Sequence, residues 1–521
     1  MLDTAISLIT TVMILSLLVL AVVTVNALTK TRDTEDGRRR NDVRLNSTIR
    51  GIRWFALATA ASTITPLYTI FTAFGLNSTH FGLLLFASPL TLLAAGFIAR
   101  HISNGLLQRA ADQGRSPPVL STGLMGSVIG NCRDSTIATL ARLVGIANVV
   151  IIVWLEVKYL AIYISQYLYA QAGSPPLPVI GLVAAVIVGA LSLFVMRYGM
   201  NGVIVSDCIY WPITLVSCGF LAIWLLFNAL DNGGLAAFHH SPLLNPPEVS
   251  TLALLGFIFN ITVTNIAILS VRDEHWIRVV AFSSEKDVRP NLMIDSLPKA
   301  CAQAAALWSL LIVVGSVLLP AYSATSGNQG PHSGFSALLP LANSAPTIFA
   351  LIVAGLVAIA LSTLDSQFFT LRQLLSYDVV RNRVTANSVN GLRQIRNAMI
   401  AGVIAFTLVY CALAFKVDDF SILFVLYPLP IVLLPATLRR YLTGREVRPM
   451  DVITPLILYL VLTLIGVGIY LASGKAPMEI FFWAAPLAVV LGLPFALFDG
   501  RPSSVLKEAR TLANAAEAMQ K

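Results

Sequence analysis

Apolar positions dominate this chain in long, unbroken runs, and polar residues are confined to short stretches between them. Runs of the length that crosses a bilayer as a helix, ~20 residues, recur about 13 times. They fall at approximately 5–28, 52–75, 80–100, 137–170, 178–196, 201–229, 251–271, 299–323, 346–375, 394–415, 418–438, 450–472 and 478–498. The pattern therefore predicts an all-α polytopic membrane protein. The first run is followed by a basic stretch and by no small-residue cleavage site, so it is expected to stay as a helix rather than act as a signal peptide.

Charge gives the runs an orientation. Lys30, Arg32, Arg38, Arg39, Arg40, Arg44, Arg50 and Arg53 follow the first run. Every second loop repeats the bias, through Arg109, Arg115 and Arg133, then Arg197, then Arg272, Arg278, Lys286, Arg289 and Lys299. Arg381 to Arg396, Arg439 to Arg448, and Arg501 to Arg510 continue it. The alternate loops carry only Lys416 and Lys475. Basic loops stay cytoplasmic, so the N-terminus is expected outside and the C-terminus inside, as an odd number of spans requires. A bacterial inner membrane is the expected location. The inner segment 272–299 is expected to form a short surface helix, and the outer segment 323–345 is long enough to act as a lid.

Composition agrees. Of 521 residues, 56% are hydrophobic and 12% are charged, with mean hydropathy +0.78, values outside the range of soluble domains. The net charge of +9 is accounted for by the inner loops and the lipid bilayer, so nucleic acid is not an expected partner. Cys132, Cys208, Cys218, Cys301 and Cys411 are scattered without metal-ligand spacing. No loop is long enough for a soluble catalytic domain, and an enzyme is not expected.

Against this apolar background the polar interruptions stand out. The densest is Leu361-Ser362-Thr363-Leu364-Asp365-Ser366-Gln367, inside the ninth run. Asp at the centre of a span costs about 2.5–3.5 kcal/mol on insertion scales, so such residues face protein or a water-filled cavity. The second run contains Ser62-Thr63-Ile64-Thr65-Pro66-Leu67-Tyr68. Pro66 removes a backbone N–H there, which gives either a plain kink or a broken helix whose freed carbonyls hold a cation. The seventh run carries Asn260, Thr262, Thr264 and Asn265. Breaks in corresponding places of two halves point to an inverted-repeat transporter; the other reading is hydrogen bonding between helices. The fourth run carries Trp154, Glu156 and Lys158, and the sixth carries Asp207. Lys158 or Arg372 is a candidate partner for Asp207. Asp365 and Arg372, seven positions apart, share a helix face and could compensate each other.

These stretches resemble the sodium/solute symporter family, which includes proline, pantothenate, sialic acid and sugar symporters. The resemblance lies in Ala360 to Gln367, in Ala61-Ser62-Thr63-Ile64-Thr65, in Gly202 with Ser206-Asp207, and in Trp276-Ile277-Arg278 with Ser284-Glu285-Lys286. It covers about residues 50 to 440. It implies the LeuT-type fold of two inverted five-helix repeats: a first helix and loop over 1–50, the repeat core over 51–440, two further helices over 441–498 and a cytoplasmic tail over 499–521. It also implies a sodium site where the first and eighth core helices cross. The ligands there are the carbonyls of Ala61, Ile64 and Ile359 and the hydroxyls of Ser362 and Thr363. By the same resemblance Asp207, Asp365 and Ser366 form a second site, for a cation or a proton. Asp365 replaces a hydroxyl residue of the family pattern, Pro66 and Arg372 are further departures, and Ile277 stands where Gln is usual. The expected activity is sodium-coupled import of a small polar or charged organic solute, with Thr65, Tyr68, Trp154, Asn260 and Asn265 lining its site. Two alternatives stay open: a transporter-like membrane sensor acting with a separate signalling partner, and proton-coupled symport.

Overall fold

The computed structural model describes residues 45, 47–64, 87–112, 125–129, 135–168, 177–240, 250–283, 291–325, 345–374, 427–473 and 477–497. Their regular elements are all helical. Besides a short helix at Ser47–Arg50 and short 3-10 and π segments, they are α1 (Arg53–Ile64), α2 (Ala87–Asp112), α3 (Met125–Ile129), α4 (Ser135–Leu168), α5 (Leu177–Gly233), α6 (Thr251–Val271) and α7 (Asp273–Phe282). There follow α8 (Leu292–Val313), α9 (Leu319–Thr325), α10 (Pro346–Gln373), α11 (Leu434–Leu438), α12 (Pro449–Ser473) and α13 (Met478–Leu497). Eight helical segments among the described residues are long and apolar enough to cross a membrane, which makes the chain a multi-pass membrane protein. The spans expected at 5–28 and 394–415 lie outside the described residues, as do most of 418–438, the outer segment 326–344 and the tail.

Run 251–271 coincides with α6, whereas α2 continues to Asp112, 12 residues past the expected end at 100, and α8 starts at Leu292, seven residues before 299. Ser250 accepts a hydrogen bond from the Ala253 N–H at 3.2 Å, so α6 starts one residue later, at Thr251. The runs 178–196 and 201–229 form two helices, together α5, that meet at a kink at Gly199, whose φ of 58° and ψ of −150° are not helical. Only glycine adopts that conformation without strain, so Gly199 separates two spans without a loop.

Helix α10 lies at the centre. It packs against α5, α4 and α1, and 78% of its apolar window is buried against 22% for α12, which lies at the periphery. Lipid is as apolar as Leu, so helices in a bilayer associate through close packing of small residues and interhelical hydrogen bonds. Both devices are present. A methyl group added at Gly355 of α10 would overlap Ser217 of α5, and Thr214 donates to the Gly355 carbonyl at 3.3 Å. On the other side, a Cβ at Gly96 of α2 would sit 2.9 Å from Cys301 of α8.

Between α6 and α8 the chain does not run along the surface. Helix α7 was expected to be a surface helix, and this is corrected: all ten of its residues are buried. It is fastened at both ends. Trp276, fully buried, donates to the Ser270 carbonyl at 2.9 Å. Asn291, which caps α8, donates to the Val279 carbonyl at 2.7 Å. Asp273 and Glu274 occupy the first turn of α7, where the helix dipole favours negative charge.

Candidate functional site

Four elements converge on the Asp207 carboxylate: α1, the second half of α5, α7 and α10. Asp207 is completely buried. Its Oδ1 accepts a hydrogen bond from the Ser362 hydroxyl of α10. Its Oδ2 accepts from Thr59 of α1 at 3.3 Å and pairs with the Arg278 guanidinium of α7 at 3.2 Å. The cation facing Asp207 is thus Arg278, rather than Lys158 or Arg372.

Arg278 is the hub. Its Nη1 donates to the Thr59 carbonyl and to the Thr63 hydroxyl, and its Nη2 donates to the Ser366 hydroxyl. One planar guanidinium therefore spans the gap between α1 and α10, which suits the fixed fork of donors that Arg supplies. Glu274 lies 3.5 Å from the same guanidinium and 2.9 Å from that of Arg272. Glu274 also accepts from the Gln367 amide.

Asp365 has a different environment. It is buried, and its partners among the described residues are hydroxyls: Ser206 donates to Oδ2, and Ser366 donates to Oδ1 at 3.1 Å. Among the described residues, the groups these contacts link include three carboxylates (Asp207, Asp365, Glu274) and two guanidiniums (Arg272, Arg278), one more negative than positive charge when all are ionised. In a low-dielectric interior such an excess is costly unless a further cation or a proton balances it.

The residues of the expected sodium site lie on α1 and α10 and all face protein. Ala61, Ile64, Ile359, Ser362 and Thr363 are each buried. Among the described residues, the Thr363 hydroxyl oxygen and that of Ser62 are buried without a hydrogen-bond partner. Buried hydroxyls are nearly always satisfied, so two such oxygens on the facing helices α1 and α10 leave acceptor capacity for an ion. Hard neutral oxygens of this kind suit an alkali cation.

The expected solute-lining residues do not form one group among the described residues. Asn260 donates to the Phe482 carbonyl of α13 at 3.0 Å and accepts from Thr264 at 3.0 Å. Asn265 donates to Thr91 at 2.8 Å and to Ser88 at 3.1 Å, both on α2. Both amides are engaged between helices. Trp154 is buried on α4, with the Lys158 ammonium 5.5 Å from its ring centroid. Thr65 and Tyr68 lie outside the described residues.

Arg278, Glu274 and Thr59 were not among the expected site residues. Arg278 belongs to a stretch that carries the family resemblance, but nothing in its local pattern indicates burial. The adjacent Asp273-Glu274 is the available signal: acidic and basic residues within one short apolar segment can neutralise each other inside the protein.

No protein-family model matches the chain, and no curated protein matches it in sequence. Solved structures do. A Na+-coupled sialic acid symporter, in a substrate-bound outward-open state, aligns over 95% of this chain and 98% of its own, with 14% identity and a TM-score of 0.63. Mhp1, a nucleobase-cation-symport-1 family transporter with bromovinylhydantoin bound, aligns over 85% of this chain and 91% of its own, with 12% identity and a TM-score of 0.45. MhsT in complex with L-phenylalanine aligns over 85% and 98%, with 15% identity and a TM-score of 0.45. The first likeness, over nearly the full length of both chains, shows the fold: the all-α LeuT-type architecture.

Proposed function

We propose that the protein is a secondary active transporter, importing a small polar or charged organic solute into the cytoplasm by sodium-coupled symport and alternating access. The observation that carries this reading is the pair of buried, unsatisfied hydroxyl oxygens of Ser62 and Thr363 on α1 and α10, beside a network with an excess negative charge. Sodium would be held by the carbonyls of Ala61, Ile64 and Ile359 and the hydroxyls of Ser362 and Thr363. Asp207, Asp365 and Ser366 form the second position, which takes a cation or a proton.

The mechanism follows from where the ion sits. Oxygens from two separate helices close around it only when α1 and α10 lie together. Binding therefore favours that arrangement, and any solute that prefers it raises sodium affinity by the factor by which sodium raises its own. The membrane potential adds about 2.3 kcal/mol per charge per 100 mV. Trp154, Thr65, Tyr68, Asn260 and Asn265 are the proposed solute contacts. The N-terminus lies outside and the C-terminus inside, in a bacterial inner membrane.

Uptake of labelled amino acids, carboxylates and sugars into proteoliposomes, with and without a sodium gradient and at two pH values, tests this. Sodium-dependent accumulation of one solute class supports it. Accumulation driven by pH alone assigns the coupling to a proton, and no uptake of any class favours the sensor reading.

A further inference from the structure

A small cavity lies at the junction of α4, the α6–α7 corner, α10 and the turn before α11. Asn148, Arg272, Asp273, Glu274 and Gln367 give it polar walls, with Gly145 beside Asp273. It has room for one water-sized body. Most of these polar groups are already engaged. Glu274 accepts from Arg272 and from the Gln367 amide nitrogen, and Asp273 accepts from the Met125 N–H at 2.7 Å. Asn148 donates to the Tyr427 carbonyl at 3.4 Å.

Among the described residues one group of the cavity wall is not engaged. Gln367 is completely buried, and its Oε1 has no hydrogen-bond partner among them. Its amide cannot simply be turned over, because that would place the carbonyl oxygen against the Glu274 carboxylate. Gln367 therefore brings a fixed acceptor to a cavity whose walls also hold an asparagine, the Glu274 carboxylate and the Arg272 guanidinium paired with it. That set of oxygens, in a space too small for a hydrated ion, is the chemistry of a dehydrated alkali cation.

We propose that this cavity is a further binding site for a monovalent cation, held by Gln367 Oε1, Asn148 and the Glu274 carboxylate. Gln367 follows Thr363 by four residues, about 6 Å along the axis of α10, so the site lies one turn beyond the proposed sodium ligands. The proposal rests on the sodium reading above.

The test is equilibrium binding of radioactive sodium to the purified full-length protein, comparing wild type with Thr363→Ala, Gln367→Leu, Asn148→Leu and the double variant Thr363→Ala with Gln367→Leu. Gln367→Leu and Asn148→Leu should each remove one equivalent of sodium, Thr363→Ala should remove another, and the double variant should lose both. If Gln367→Leu does not yield folded protein, Asn148→Leu decides the matter from another helix. Unchanged binding in the Gln367 and Asn148 variants, with binding reduced in Thr363→Ala, means the cavity holds water and overturns the site alone. No sodium binding by the wild type overturns the proposed function as well.

Discussion

Arg278 and Asp207 meet at 3.2 Å with 1% and 0% of their side chains exposed, joining α7 to the second half of α5 beneath α1 and α10. Removing one partner of a buried ion pair leaves a charge without compensation, which costs about 3–5 kcal/mol, whereas replacing both partners is far milder. Arg278→Ala should therefore lower the thermal unfolding midpoint sharply. The double variant Arg278→Leu with Asp207→Leu should recover much of the loss. Equal losses in the single and double variants would show that the pair is not a coupled unit.

Gly355 is a packing requirement of the same centre. A side chain there would overlap Ser217, and overpacking a tight interface costs about 1–3 kcal/mol. Gly355→Val should destabilise the protein. Gly219, on the same partner helix α5 with open space around it, should accept Ala with little effect. Melting curves of the two variants in one detergent make the comparison.

The two asparagines of α6 give a test between helix contact and solute contact. Interhelical hydrogen bonds in membranes are worth about 0.6–2 kcal/mol. Asn265→Leu breaks the bonds to Ser88 and Thr91 and should lower stability by that order. Once a solute is identified, a change in its affinity without a stability change would place Asn265 at the solute instead.

His275 on α7 is buried, with its Nε2 3.4 Å from the Ser103 hydroxyl. Burial first, then the Arg278 and Arg272 guanidiniums, lowers its pKa from 6.5 to about 3. The folded protein keeps it neutral while the unfolded chain binds a proton below pH 6.5. Its stabilising effect is complete above pH 6.5 and is lost as pH falls toward 3. His275→Gln should flatten the decline in melting temperature across that window. An identical pH profile in the variant would show that His275 does not contribute to it.

Much of the fold could be read from the chain because span length and loop charge are local properties. Run 251–271 coincides with α6, which the Ser250 cap starts, and run 346–375 with α10, which Pro346 starts without a side-chain cap. The Gly199 break was legible as the pause between two runs, but that the two helices meet there without a loop was not, because a glycine marks a turn as readily as a kink. Helix α7 was not legible: Asp-Glu-His followed by Arg reads as surface, and only tertiary pairing of Arg278 with Asp207 and of Arg272 with Glu274 makes its burial tolerable. In the ninth run, the inward direction of Ser362 and Asp365 followed from the cost of polar groups in lipid. The identity of their partners did not, because it depends on helices far apart in the chain.

The central claim is that α1 and α10 together hold sodium, and thermal unfolding of purified protein in sodium chloride against choline chloride tests it most directly. A ligand that binds only the folded state adds about 2.7 kcal/mol at a hundredfold excess over its Kd. The melting temperature of the wild type should therefore rise with sodium and saturate, and the rise should be reduced in Thr363→Ala. Identical curves in the two salts, or a sodium effect unchanged by Thr363→Ala, would contradict the account.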